Sequence, residues 1–308
     1  MALSPAVAQT YPKETIRLIV PFPPGGNTDV TARLIANKIA GPLGQSIVVE
    51  NIGGAGGTIG SANVARAKAD GYNLLFGSTS TLAIAPAVNS KLSYDPQKSF
   101  TAVALVATAP HFLFVNPKLG IRSTAELIAY ARANPDKFNF ASPGIGTPNH
   151  LAAELFLSKA GIKAVHVPYR GGAPALSAVI AGDAQFAFDT FAVIGGPQAS
   201  GQVNVLAVAN SERSPLLKDV PTLAQAGVAG VEAASWNGIV APAGVPNEVV
   251  TLLNAEVGKA LQDQELLSRF IAFGIEPAPK TPAEFQAFIT NEIAKWDGVA
   301  KSTGVKLD

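Results

Sequence analysis

Along this chain, short unbroken apolar runs alternate with longer stretches whose apolar residues recur every three or four positions. The first run, TIRLIVPF at residues 15–22, is bounded by turn residues and is predicted to be a buried strand of a parallel sheet. Residues 28–40 follow with Val30/Leu34 and Ile35/Ile39 as i,i+4 apolar pairs, which predicts a helix. SIVVEN (46–51) is a second strand, GGAGGTIG (53–60) a glycine loop, 58–68 a second helix and YNLLFGS (72–78) a third strand. The middle of the chain repeats the style. Residues 138–161 read as strand, glycine loop and helix; 164–169, 171–182 and 184–189 read as strand, helix and strand. Strands alternating with helical segments of this length predict an α/β fold with doubly wound sheets.

Helix starts carry their own signals. Ser123 with Glu126, and Thr281 with Glu284, both have capping-box spacing, in which hydroxyl and carboxylate each satisfy a free backbone N–H. Residues 281–304 then form a long amphipathic helix.

Composition narrows the function classes. The chain has 308 residues, 48% of them hydrophobic and only 15% charged, which suits two well-buried domains. With 23 basic and 22 acidic residues and no basic stripe, nucleic acid is not an expected partner. No apolar run is long enough to span a bilayer, so no direct membrane insertion is expected. The absence of cysteine excludes disulfides, thiolate catalysis and thiolate metal sites. At the N-terminus, Ala6-Val7-Ala8 followed by Gln9 and Thr10 has the look of a signal-peptidase site, and residues 1–10 are read as the remnant of an exported precursor.

Enzyme motifs are missing. The 53–60 loop lacks GxGxxG: counted from Gly54, the third glycine would fall at Ile59. Gly258-Lys259 has Leu253 where a P-loop requires its first glycine, and no serine has glycines at both −2 and +2. His111, His150 and His166 are far apart and show no metal spacing. No catalytic residue, metal or cofactor is expected.

What remains is a site made of backbone. A helix N-terminus presents unsatisfied N–H groups and the positive end of the helix dipole. In PPGGNTD, Pro24, Gly25 and Gly26 form a close turn, with Asn27, Thr28 or Asp29 as candidate caps. In SPGIGTPNH, Ser142 opens a loop in which Gly144 and Gly146 allow close backbone approach, Thr147 is a candidate N-cap and Pro148 suits the first helical position. Neither loop holds a cation before its helix. Both are ordinary turns, or together they pinch one carboxylate. Phe22 ends its strand and serves either the core or a pocket wall. Ser78 and Ser80 follow the third strand at the edge where open α/β sheets bind ligands.

Five blocks in order, residues 20–33, 49–81, 138–156, 167–189 and 213–246, resemble the Bug family of periplasmic solute-binding receptors of tripartite tricarboxylate transporters. The resemblance runs from about Tyr11 to the C-terminus. It implies a two-lobed Venus-flytrap of the type II periplasmic-binding-protein kind, joined by two crossover segments. Residues 11–108 and 229–308 would form lobe 1, and 109–228 lobe 2. It further implies that the loops at 22–29 and 142–150 close on a ligand carboxylate, and that His150 and Asp189 lie near the pocket. The expected partners are a small carboxylate, a dicarboxylate or an aromatic acid, and the membrane permease subunits of such a transporter; the expected state is a periplasmic monomer. Arg170 is expected in a surface salt bridge, and Trp236, at or beside a crossover, in packing rather than ligand stacking. A periplasmic sensor subunit and an α/β enzyme acting on a carboxylate are the alternative readings.

Overall fold

The computed structural model describes residues 11–135 and 137–306; Ala6-Val7-Ala8 and the expected signal remnant lie outside them. The chain opens with β1 (Ile16–Val20), α1 (Asn27–Leu43), β2 (Ile47–Asn51), α2 (Thr58–Ala65) and β3 (Asn73–Ser78). A π-helical turn (Ser80–Ile84) and the short α3 (Ala85–Val88) lead into β4 (Phe100–Val115), a strand of 16 residues. Then come α4 (Thr124–Ala133), β5 (Asn139–Ser142), α5 (Pro148–Ala160), β6 (Val165–Pro168), α6 (Gly172–Ala181), β7 (Phe186–Thr190), α7 (Phe191–Ala199) and β8 (Asn204–Val208). The chain returns through β9 (Ala234–Pro242), α8 (Asn247–Ala260), α9 (Gln264–Ala272), β10 (Glu276–Pro277) and α10 (Pro282–Thr303).

The α/β alternation predicted from the apolar pattern is present, but the sheets are mixed rather than purely parallel. β1 pairs in parallel with β2 and β3, while β9 is antiparallel to both β3 and β4. In the second sheet β5 is parallel to β6 and β7, and β4 is antiparallel to β7 and β8. One strand therefore serves both sheets. Residues 100–110 of β4 pair with β9, and residues 111–115 pair with β7 and β8. The return crossover runs beside it: His111 donates its N–H to Ala233 O, and Ala233 donates to Ala209 O.

Packing joins the halves as well as filling each. One cluster buries α1 and α8 against the first sheet through Ile35, Ile39, Val250 and Leu253. Another covers one face of the second sheet with Phe112, Phe114, Val179 and Ile194. The largest cluster is shared, running from Leu75 and Leu82 through Trp236, Phe285 and Trp296 to Phe140, Phe156 and Phe186.

Two capping expectations need correction. Helix α1 has Gly26 as its N-cap, without a side-chain bond, rather than Asn27, Thr28 or Asp29. Asp29 instead reaches back from the first turn to the Gly25 N–H, 2.9 Å away, so the cap residue needs no side chain. At α4, Ser123 accepts from the Glu126 N–H, but the Glu126 carboxylate takes the N–H of Arg122 at 2.6 Å, so the box is shifted by one residue. At α10 the box is complete between Thr281 and Glu284.

Candidate functional site

Strand direction alone turns the edges that carry the two glycine loops toward each other. β3 and β4 are both antiparallel to β9, so β1, β2, β3 and the first part of β4 all point toward the second sheet. β7 is antiparallel to β4 with Thr190 opposite His111, so β7, β5 and β6 point back toward the first. The carboxyl ends of the parallel strands of both sheets therefore face one another across the His111 crossover. Ligands of open α/β sheets bind at such edges.

On the first edge, the loop at 21–26 is held by Asp29. This buried carboxylate accepts from Gly25 N–H, from Asn51 Nδ2 at 2.9 Å and from Arg33. Burial raises its pKa, but the bonds from Arg33, Gly25 and Asn51 outweigh that and hold it below the ordinary carboxylate value. Asn51 also donates to Phe22 O at 3.0 Å, stapling the loop to the end of β2. Pro24, Gly25 and Gly26 are exposed, and Asn27 and Thr28 half-buried. Thr28 Oγ1 lies 3.3 Å from Asn237 Nδ2 of β9, which ties α1 to the crossover strand. The half-buried Phe22 points its ring tip toward Gly57, where a Cβ would sit 3.1 Å from it and 2.6 Å from Thr81 Cγ2. The 53–57 glycines thus permit close approach to the first loop. Beyond β3, Ser78 is buried and Ser80 half-buried. The Ser78 N–H is bonded to Thr81 Oγ1, and Thr79 Oγ1 accepts the Trp236 N–H at 2.8 Å.

On the second edge, the loop at 143–147 is more self-satisfied than its sequence suggests. Thr147 caps α5 through the His150 N–H and donates to Gly144 O at 2.8 Å. Gly144 N–H is taken by Ser142 Oγ, and Gly146 N–H by His150 Nδ1. That last bond puts the His150 proton on Nε2, toward Glu154 3.6 Å away. The distant histidines of the sequence meet here: His150 stacks on His166 with ring centroids 3.9 Å apart, because β5–β6 pairing sets His166 beside Phe140. Burial and the neighbouring His150 lower His166 to about 4. Ser142 Oγ lies 2.6 Å from His166 Nε2, yet Ser142 is fully buried and serves Gly144 as well, so the pair fastens the loop. Among the described residues, no group of three His, Asp or Glu side chains is placed to hold a metal.

Asp189 lies one residue from the carboxyl end of β7, opposite Phe112 of β4. It is buried, accepts its neighbour Thr190 N–H at 2.8 Å, and desolvation pushes it up to about 6 despite bonds from Thr190 and Asn149. A Cβ on Gly172 would lie 3.0 Å from its Oδ2, so the start of α6 rests on the carboxyl. Arg170 has no ion pair among the described residues, which corrects the expected surface salt bridge: the acid beside its loop, Asp189, is buried and bonded to Thr190 while the Arg170 side chain is exposed. Trp236 is packed, as expected, buried against Phe285 and Phe288 with Nε1 donating to Glu292 Oε2 at 2.8 Å. Asn51, Thr79 and Asn237 escaped the sequence reading, since a lone polar residue at a strand end looks like a boundary. Surface cavities elsewhere, such as one of about 490 Å³ bounded by Leu155, Lys159, Glu232 and Lys295, hold none of these loop residues.

Two α/β halves, two crossover strands and facing loop edges define a two-lobed solute-binding protein of the periplasmic type, and solved binding proteins share the whole fold. The chain belongs to the tripartite tricarboxylate transporter receptor family, TctC, whose sequence profile matches residues 31–305. BugT of Bordetella pertussis is 37% identical over 305 residues, covering 99% of this chain and 94% of BugT. An R. palustris protein solved with adipate is 36% identical, with a TM-score of 0.86 over 96% of this chain and 99% of that one. MatC from Rhodopseudomonas palustris, solved with bound malate, is 34% identical, with a TM-score of 0.82 over 94% of this chain and 99% of MatC. The chain is accordingly a solute-binding receptor and not an enzyme.

Proposed function

We propose that the receptor captures a small organic carboxylate in the periplasm and delivers it to the membrane permease of a tripartite transporter. The observation that carries this reading is the pair of cation-free helix starts, at 21–28 and 143–150, on facing strand edges. The uncapped first turn of α1 leaves N–H groups for an anion, and charge-assisted bonds from such donors contribute about 1.5–3 kcal/mol each. Phe22, Pro24, Gly25, Gly26, Asn27 and Thr28 form one jaw, and Ser142, Gly144, Gly146, Thr147 and His150 the other, with Ser78, Ser80 and Asp189 between them. Asp29, its oxygens committed to Gly25, Asn51 and Arg33, positions the first jaw rather than touching ligand. Residues 11–108 with 229–308, and 109–228, are the two lobes that close. The adipate and malate held by the similar solved proteins support a carboxylate. Ligand binding favours the closed form by its differential affinity for the two states.

A thermal-shift panel of aliphatic, amino and aromatic acids tests this. A hundredfold excess over Kd adds about 2.7 kcal/mol and is expected to raise Tm by several degrees. Converting the best ligand's carboxylates to amides is expected to remove most of the shift. An undiminished shift with the amide rules out the carboxylate jaw.

A further inference from the structure

The loops that leave β1, β2, β3, β5, β6 and β7 toward the cleft contain a single Lys or Arg, which is Arg170 between β6 and α6. Its backbone is fixed beside the second jaw: Tyr169 donates to Ser142 O at 2.9 Å, and Gly171 to Pro143 O at 3.1 Å. Its side chain is exposed and has no hydrogen bond or ion pair among the described residues. Arg17, Arg33 and Arg269, by contrast, are each committed to a carboxylate. Past Gly171, the start of α6 rests on the buried Asp189. A free cation and a buried acid therefore flank the same jaw, from the two ends of one short loop.

We propose that Arg170 is the counter-charge for a second anionic group of the ligand, and so selects diacids over monoacids. This rests on the carboxylate reading of the cleft. Neutral N–H donors suffice for one carboxylate at a helix start, but a second one drawn out of water needs a partner of opposite charge. Asp189 repels an anion placed against it, which directs the second group to the Arg170 end of the loop. A guanidinium also presents a planar fork that matches a carboxylate with two parallel bonds, which an ammonium does not.

Isothermal titration of the wild type, Arg170→Gln and Arg170→Lys with straight-chain diacids and their half-amides tests the assignment. The wild type is expected to bind the best diacid about 10- to 100-fold more tightly than its half-amide, the span a charge-assisted bond covers. Arg170→Gln is expected to erase that preference while leaving half-amide affinity within about twofold, and Arg170→Lys to keep part of it. Because the side chain is exposed, an unchanged melting curve without ligand is expected for both variants. Equal loss for diacid and half-amide in Arg170→Gln overturns the proposal and points to pairing with Asp189 on closure. Equal wild-type affinity for the two ligands overturns it while sparing the carboxylate jaw. Failure of every acid to bind wild type, half-amides included, removes the carboxylate reading itself.

Discussion

Two buried aspartates, at the start of α1 and near the end of β7, have opposite electrostatics, and each makes a different expectation. Asp29 is held ionised by Arg33, Gly25 and Asn51, so its contribution is present at neutral pH and lost as pH falls below the ordinary carboxylate range. Asp29→Ala leaves the Gly25 N–H and the Asn51 amide without their acceptor. It is expected to cost about 2–3 kcal/mol in urea denaturation and to weaken ligand binding by loosening the first jaw. Asp189 is the reverse case. Burial raises it to about 6, so between the ordinary value near 3.8 and that point the folded state binds the extra proton. Stability from this group therefore falls as pH rises across that interval and stays reduced above it. His111 and His166, lowered by burial to about 3 and about 4, act in the opposite direction, losing stability as pH falls below the model-compound value of 6.5. The difference between Asp189→Asn and wild type isolates the aspartate. The variant is expected to gain about 2–3 kcal/mol relative to wild type between pH 4 and pH 7. A difference independent of pH would show that the carboxyl is not desolvated.

At the scale of elements, local chemistry sets helix ends and tertiary contacts set what those ends do. Thr281→Ala removes the hydroxyl half of a complete capping box and is expected to cost about 1 kcal/mol, read as a lower denaturation midpoint. Ser123→Ala is expected to cost less, because the Ser123 hydroxyl makes one bond, from the Glu126 N–H, where the Thr281 hydroxyl makes two with Glu284. Both helix starts were legible from a hydroxyl and a glutamate three residues apart. The start of α1 was legible as a turn but not in its cap, since the acceptor that replaces a capping side chain is Asp29, fixed by Asn51 from another strand. β4 was the least visible element. Proline is uncommon inside a central strand, yet in the folded chain Pro110 pairs with Ala234 at the point where the strand passes from one sheet to the other.

For the whole molecule, the crossover region is bolted by α10. The two tryptophans of the chain both donate to one oxygen of Glu292, Trp236 from β9 at 2.8 Å and Trp296 from α10 at 3.1 Å. Lys295 also pairs with Glu292 and lies over the Trp296 ring. Thr79, in the turn after β3, holds the Trp236 N–H, so a single hydrogen bond joins that turn to the tryptophan cluster. Lobe closure is expected to change tryptophan emission on ligand addition, and Glu292→Leu, which strands two buried indole N–H groups, to destabilise by about 2–4 kcal/mol. Emission that ignores saturating ligand would mean that closure leaves this region still. Across the rim, Gly274 lets the first turn of α7 approach: a Cβ there would lie 2.7 Å from Phe191.

The sequence by itself determined the α/β alternation, the glycine loops at helix starts and the lack of P-loop and dinucleotide motifs and of thiols, because these depend on residue identity and on neighbours within a few residues. It also carried enough ordered motifs to place the chain in its family. Only the tertiary structure decided that the strand edges carrying the loops face one another. Strand directions, set by two long antiparallel crossovers, turn the carboxyl ends of both sheets toward each other. The same long-range pairing gives Ser142 its partner His166 and Asp29 its partner Asn51, and leaves the Arg170 side chain without a partner among the described residues. Such partners are chosen by contacts between residues far apart in the chain, which no local spacing encodes.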